Sequence, residues 1–361
     1  MKIAVVGDSY CPASALAPAF EALARSHEVT FADLKDEPDW VPRSPSEKRI
    51  REYLGSPRQV IELLGHADVL VMQAAPVTDA VFDADPHLKL LCVARGGPVN
   101  VDVAAATERH IPVIITPGKN AQAVTELTIA LMIVLARRVP ENIRFLEGGG
   151  DLGRDNYEGA RWFGHDLEGH TLGIVGFGQI GRKVARVALA LGMRVVVHDP
   201  FVDAAVVGAA GAEATDLDAL LARSDYVTLH ARASADNRGM IGREQLARMK
   251  EGAILINTAR DALVDEDALY DALRAGHLAG AGLDLVRPAD LTVPARLGSR
   301  HRLLEFPNVV IVSHIGGSTW ETLLHGGEMA AAEIERLVAG EPLRNLANPA
   351  VLAGAEVAAR G

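Results

Sequence analysis

The stretch TLGIVGFGQIGRKVARVALALG carries Gly176, Gly178 and Gly181 in a G-x-G-x-x-G spacing. An apolar run leads into it and an amphipathic helical pattern follows. Each glycine has a physical reason. Gly176 permits a tight turn, Gly178 lets the backbone approach a pyrophosphate, and Gly181 lets the helix pack close to the strand. Gln179 and Ile180 open that helix, whose N-terminus offers free N–H groups and a partial positive charge to phosphates. The next apolar run, RVVVHD, ends in Asp199. A carboxylate there accepts both ribose hydroxyls of NAD and repels the 2′-phosphate of NADP. No arginine follows directly, since DPFV comes next. The pattern predicts an NAD site. The plainer alternative is a glycine-rich structural turn beside a solvated aspartate.

Such a motif needs elements to hold it. Ten apolar runs of five to seven residues punctuate the chain: 2–7, 68–73, 88–94, 111–116, 172–178, 194–199, 226–230, 253–258, 279–284 and 309–314. Runs of this kind, bounded by Gly, Asp or Pro and separated by helix-like segments, indicate parallel strands covered on both faces. The fold class is therefore α/β with two doubly wound parallel sheets. Residues 1–116 supply the first set and 172–314 the second. A helical segment near 120–139 lies between them, and a strongly helical stretch, 318–340, follows the last strand. Residues from about 346 read as a loose, Ala-rich tail, and 147–159 as a Gly-rich surface loop.

The 361 residues suffice for two domains of ordinary size. A net charge of −11, with no Lys/Arg stripe, disfavours nucleic acid and suits a small anionic ligand. Two cysteines without a C-x-x-C argue against a disulfide framework and for a reducing cytoplasm. The N-terminus shows no signal peptide, and the most apolar run, 127–136, is too short to span a bilayer. It reads as a helix buried in a core or a subunit interface. No metal spacing, P-loop or nucleophile elbow is present, so no metal is expected.

At INTARDALVDEDALYDALRAGHLAGAGLD and LLEFPNVVIVSHIGG the sequence resembles the D-isomer-specific 2-hydroxyacid dehydrogenase family. The resemblance extends over about residues 60–345. It implies a nucleotide domain, 119–317, inserted into a discontinuous flavodoxin-like substrate domain, 1–118 plus 318–345, with 346–361 as tail. It also implies a homodimer. Position by position, it implies that Arg260 holds the substrate carboxylate and carbonyl oxygen, for which a planar guanidinium fork is suited. His314 would be the general acid and base. Arg95, Gly96 and Gly97, in RGGP, match a loop that binds the substrate carboxylate. His230, Thr258, Ala259, Asp284 and Gly316 match positions around the cofactor. The expected reaction is hydride transfer between nicotinamide C4 and C2 of a small (R)-2-hydroxy or 2-oxo acid, in a cleft closing about hinges near 117–120 and 315–318. The alternatives are a sugar acid or phosphorylated hydroxy acid as substrate, or an NAD-sensing binding protein with little turnover.

The sequence also departs from the family. Where a glutamate normally pairs with the histidine, this chain has Ala289 and then Asp290. Three readings stand: Asp290 serves His314 as a shorter carboxylate, the histidine works without one, or redox turnover is lost. A second departure is Asp261, in place of a glycine after Arg260, where a carboxylate could compete with substrate for the guanidinium or hydrogen-bond a polyhydroxylated substrate. A third is Arg95 itself, which with GDSY (7–10) could recognise a hydroxyl, a phosphate or a second carboxylate.

Overall fold

A computed structural model of the chain describes residues 1–150, 162–287 and 301–352. The chain divides into two compact units, residues 1–119 with 319–361 and residues 120–318.

The first unit is built on a five-stranded parallel sheet. Its strands are β1 (Lys2–Gly7), β2 (Glu28–Asp33), β3 (Val69–Met72), β4 (Leu90–Val93) and β5 (Val113–Ile115), in the order β2-β1-β3-β4-β5. The strand order reverses between β1 and β3, so the loops after these two strands part there, at the C-terminal edge where open α/β sheets bind ligands.

The second unit has a seven-stranded parallel sheet. Its strands are β6 (Thr171–Val175), β7 (Arg194–His198), β8 (Glu213–Ala214), β9 (Tyr226–Leu229), β10 (Ala253–Asn257), β11 (Leu278–Leu283) and β12 (Val309–Ile311), in the order β12-β11-β10-β9-β6-β7-β8. Here the reversal lies between β6 and β9.

Among the described residues, ten of the twelve strands coincide with apolar runs. The other two, β2 and β8, are edge strands whose residues are mostly exposed. An edge strand with a wet face has no continuous apolar run to reveal it.

Three helices bear on the sites of this protein: α1 (Ala121–Ala136), α2 (Gln179–Ala190) and α3 (Trp320–Ala339). The apolar run at 127–136 lies in α1, which sinks Leu131, Met132 and Leu135 into the second unit's core beside Ile174, Phe177 and Val184. The glycines of β11 let it approach: a Cβ on Gly282 would come within 3.1 Å of Leu131 Cβ. The helix α3 belongs to the first unit. Its Ala330, Ala331 and Ile334 join Leu16, Phe20 and Ile114 in one cluster.

The loose tail expected from residue 346 is not what forms through Leu352. Leu346 bridges Ile114. The buried side chain of Asn348 accepts from Val113 N–H at 2.8 Å and donates to Ile111 O at 3.0 Å. Val351 is buried. Asn348 supplies hydrogen bonds to the last strand of the sheet, a role that its Ala-rich surroundings conceal. Of the loop expected at 147–159, residues 151 onward lie outside the described residues.

Candidate active site

The strand β6 runs into Gly176–Phe177–Gly178, and α2 begins at Gln179. Gly176 has φ +95°, and a Cβ there would meet Ala231 N at 2.6 Å, so only glycine fits between the loops after β6 and β9. A Cβ on Gly181 would strike Gly176 O at 2.2 Å. Gly178 is the opposite case: its added Cβ would meet nothing within 4 Å. The missing side chain leaves open room before the N-terminus of α2, which no side chain caps. Room, free N–H groups and the helix dipole together make a phosphate cradle.

Asp199 follows β7. Its Oδ2 accepts from Phe177 N–H at 2.7 Å and its Oδ1 from Phe201 N–H at 2.9 Å, which fixes the carboxylate beside the glycine loop. His230 follows β9. Its Nε2 lies 3.1 Å from Thr228 Oγ1. Its Nδ1 is buried and has no partner among the described residues. Burial pushes this imidazole down to about 3, so it is neutral at working pH. These residues fit a dinucleotide: a phosphate cradle, a ribose acceptor and an orphaned ring nitrogen share one sheet edge.

The strand β10 ends in Asn257, which is buried and clamps the loop that follows. Its Nδ2 donates to Arg260 O at 2.7 Å and its Oδ1 accepts from Ala259 N–H at 3.1 Å. Thr258, also buried, shares a 2.8 Å hydroxyl contact with Thr128 of α1. Arg260 is exposed, and its Nη1 donates to Ala259 O at 2.7 Å. Among the described residues no carboxylate forms an ion pair with it, Asp261 included. The guanidinium is therefore open to an anion, and competition from Asp261 is not observed.

Asp284, buried, follows β11. Its carbonyl accepts from His314 N–H at 2.8 Å. Its carboxylate accepts from Ile315 N–H at 2.8 Å and Gly316 N–H at 3.1 Å. A Cβ on Gly316 would fall 2.6 Å from Asp284 Oδ2, so glycine is required for this contact. His314 itself has φ +57°, in the left-handed region, and its ring is exposed. The three N–H contacts to Asp284 hold it there. Among the described residues the histidines that meet a carboxylate are His66, His301 and His325; His314 meets none. Asp290, expected as its partner, lies outside the described residues.

Similarity to known proteins decides the family to which this geometry belongs. A profile described as "D-isomer specific 2-hydroxyacid dehydrogenase, NAD binding domain" matches residues 129–316. The chain belongs to the D-isomer-specific 2-hydroxyacid dehydrogenases. It is 35% identical over 314 residues to a glyoxylate reductase of Korarchaeum cryptofilum, covering 87% of this chain and 90% of that protein. It is 34% identical to a D-3-phosphoglycerate dehydrogenase of Archaeoglobus fulgidus, covering 86% of this chain and 56% of that one. The chain thus spans about half the length of the curated phosphoglycerate dehydrogenases that it matches. A solved structure from Thermus thermophilus superposes with a TM-score of 0.72 at 32% identity, covering 96% of this chain and 100% of that one.

In this member of the family the 95–97 loop follows β4. Gly96 and Gly97 have nothing within 4 Å of an added Cβ, and their N–H groups have no hydrogen-bond partner among the described residues. Arg95 differs from expectation. Its guanidinium is already occupied, donating from Nη1 to Glu52 O at 2.8 Å and from Nη2 to the Glu52 carboxylate. Glu52 comes from a distant stretch, so nothing in the residues around Arg95 points to it. Sequence reasoning also missed Asn257, Thr128, Gln73 and Lys119. For Asn257 the signal was available: a polar residue closing an otherwise apolar run. The others follow strands or lie within a helix pattern without a motif.

Proposed function

We propose that this chain is an NAD-dependent oxidoreductase interconverting a small (R)-2-hydroxy acid and its 2-oxo acid. One observation carries the reading. The dinucleotide cradle, an open guanidinium and an exposed imidazole all follow C-terminal ends of strands in one parallel sheet, where doubly wound folds bind ligands. The Gly176–Gly181 loop, with Gln179 and Ile180, would hold the pyrophosphate. Asp199 would hold the ribose. His230, Thr258, Ala259 and Asp284, with Gly316, would line the nicotinamide. Bound there, NAD supplies or accepts the hydride at C2.

The chain's own groups do the rest. Arg260 donates two N–H groups to the substrate carboxylate and carbonyl oxygen, stabilising negative charge on that oxygen as C2 is reduced. His314 gives its ring proton to the same oxygen and recovers it in the oxidative direction. His230 is unsuited to that task, since burial keeps it neutral. Gly96 and Gly97 offer backbone N–H groups to the carboxylate, with Arg95 shaping the loop rather than supplying a free charge. The protein acts as a homodimer in a reducing compartment; exposed Ile133, Val139, Ile143 and Phe163 support the first, and free, buried Cys11 and Cys92 the second.

A panel of 2-oxo acids with NADH, followed by absorbance, tests the reaction. We expect turnover, and a fall in kcat/KM of about a hundredfold or more in Arg260→Ala, as loss of a charged bidentate contact implies. Tight NADH binding with no turnover of any 2-oxo acid, and an Arg260→Ala variant equal to the parent, leaves a nucleotide-sensing protein instead.

A further inference from the structure

The C-terminal edge of the first sheet carries a charge that the reaction above does not use. Asp8 follows β1, Gln73 follows β3, Arg95 follows β4, and Lys119 lies four residues past β5. Asp8 staples the point where the strand order reverses: its Oδ1 accepts from Tyr10 and Cys11 N–H, and its Oδ2 from Ala74 N–H at 3.1 Å. Thr116 N–H donates to Arg95 O at 2.8 Å, tying the loops after β4 and β5 together. Lys119 is half-buried among them, and its Nζ donates to Gln73 Oε1 at 2.9 Å.

Gln73 is neutral, and among the described residues Lys119 forms no ion pair. A partly buried ammonium without a carboxylate is costly, yet the fold makes room for it. A Cβ on Gly326, inside α3, would come within 3.0 Å of Lys119 Cδ and 3.4 Å of its Nζ. Glycine inside a helix is itself destabilising. The two costs serve one arrangement: a lysine held by an amide, its ammonium without a second hydrogen-bond partner among the described residues. Nearby Arg95 is neutralised by Glu52, whereas the ammonium keeps its charge for a ligand.

We propose that Lys119, positioned by Gln73 and Gly326, is a specificity-determining cation that binds a second anionic group, so that the substrate class is 2-hydroxy acids bearing a carboxylate or phosphate at the far end. The proposal rests on the reaction assigned above.

The test compares matched 2-oxo acids with NADH: 2-oxobutyrate against 2-oxoglutarate, and hydroxypyruvate against its 3-phosphate. The parent favours at least one member with the second anion. In Lys119→Met the ratio of kcat/KM, anionic over neutral, falls roughly tenfold to a hundredfold, the range for a lost hydrogen bond to a charged group. The fall resides mainly in KM, and Lys119→Arg recovers part of it. The carboxylate and phosphate arms tell which group is read. An unchanged ratio, or an equal loss on both members of a pair, overturns the proposal and leaves Lys119 structural. If no 2-oxo acid is reduced, the reaction itself fails. The subsite is then judged by calorimetry on the NADH-saturated protein with D-malate and 3-phosphoglycerate against D-lactate. Selective binding of either dianion that Lys119→Met abolishes upholds it, and any other result overturns it.

Discussion

The backbone N–H of His314 donates to the carbonyl oxygen of Asp284 at 2.8 Å. The Asp284 carboxylate takes the next two N–H groups of the same loop. One buried residue thus sets the left-handed backbone on which the proposed acid–base imidazole stands. Asp284→Ala strands one buried donor, Gly316 N–H, and one part-buried donor, Ile315 N–H, at about 1–3 kcal/mol each. We expect urea unfolding to show a loss of roughly 2–5 kcal/mol, with kcat falling further than NADH affinity. A variant as stable and active as the parent would remove Asp284 from this role.

Asp290 can be judged by kinetics alone. If its carboxylate orients His314, Asp290→Ala lowers kcat by about tenfold or more and moves the acidic limb of the pH–rate profile, because the imidazolium loses a stabilising negative charge. A superimposable profile assigns the orientation of His314 to Asp284 and the 314–316 backbone.

Asp199 makes a prediction about cofactor choice. Its two oxygens already accept Phe177 and Phe201 N–H groups, so its position is fixed before any ribose arrives. Replacing it by serine removes the charge that repels a 2′-phosphate. The ratio of kcat/KM for NADH over NADPH should drop by about tenfold to a hundredfold, on the scale of a charged hydrogen bond. A parent enzyme that already prefers NADPH would contradict the assignment.

His230 links burial to acid sensitivity. Its folded value, about 3, lies below the ordinary 6.5, so between these values the unfolded chain binds the extra proton. Stability from this group is complete above about pH 6.5 and is lost as pH falls toward 3. The full span is worth up to about 5 kcal/mol by linkage. Urea unfolding of the ligand-free protein at about pH 6.5 and about pH 4.5 should show a smaller acid loss in His230→Gln than in the parent.

Lys119 behaves in the opposite pH range. Burial pushes its ammonium down to about 8, Arg95 pushes the same way, and Asp8 and the Cys11 sulfur oppose. Between about 8 and 10.5 the unfolded chain again binds the extra proton, so this group's contribution to stability rises with pH across that window. The preference for a second anion should do the reverse, fading above about pH 8 in the parent and staying flat in Lys119→Met. A preference constant to about pH 9.5 would separate it from this amine.

Much was legible in the chain itself. The glycine spacing around Gly176, the acid at Asp199, and the order of NTAR before SHIGG were readable because each demand is local: a turn, a close backbone approach, a strand end. The buried strands announced themselves for the same reason, since a strand covered on both faces must be apolar along its whole length. What only tertiary structure decided were contacts between distant residues. Glu52 occupies Arg95 from 43 residues away. Asp284 holds the loop of His314 across two strands, and Asn348 fastens a segment that looked loose to β5, 235 residues earlier. Lys119 acquires meaning only when β1, β3 and β4 end beside it and Gly326 opens a groove for its stem. Hydrogen bonds and charges act through space, and sequence separation carries no record of which loops a sheet will bring to one edge.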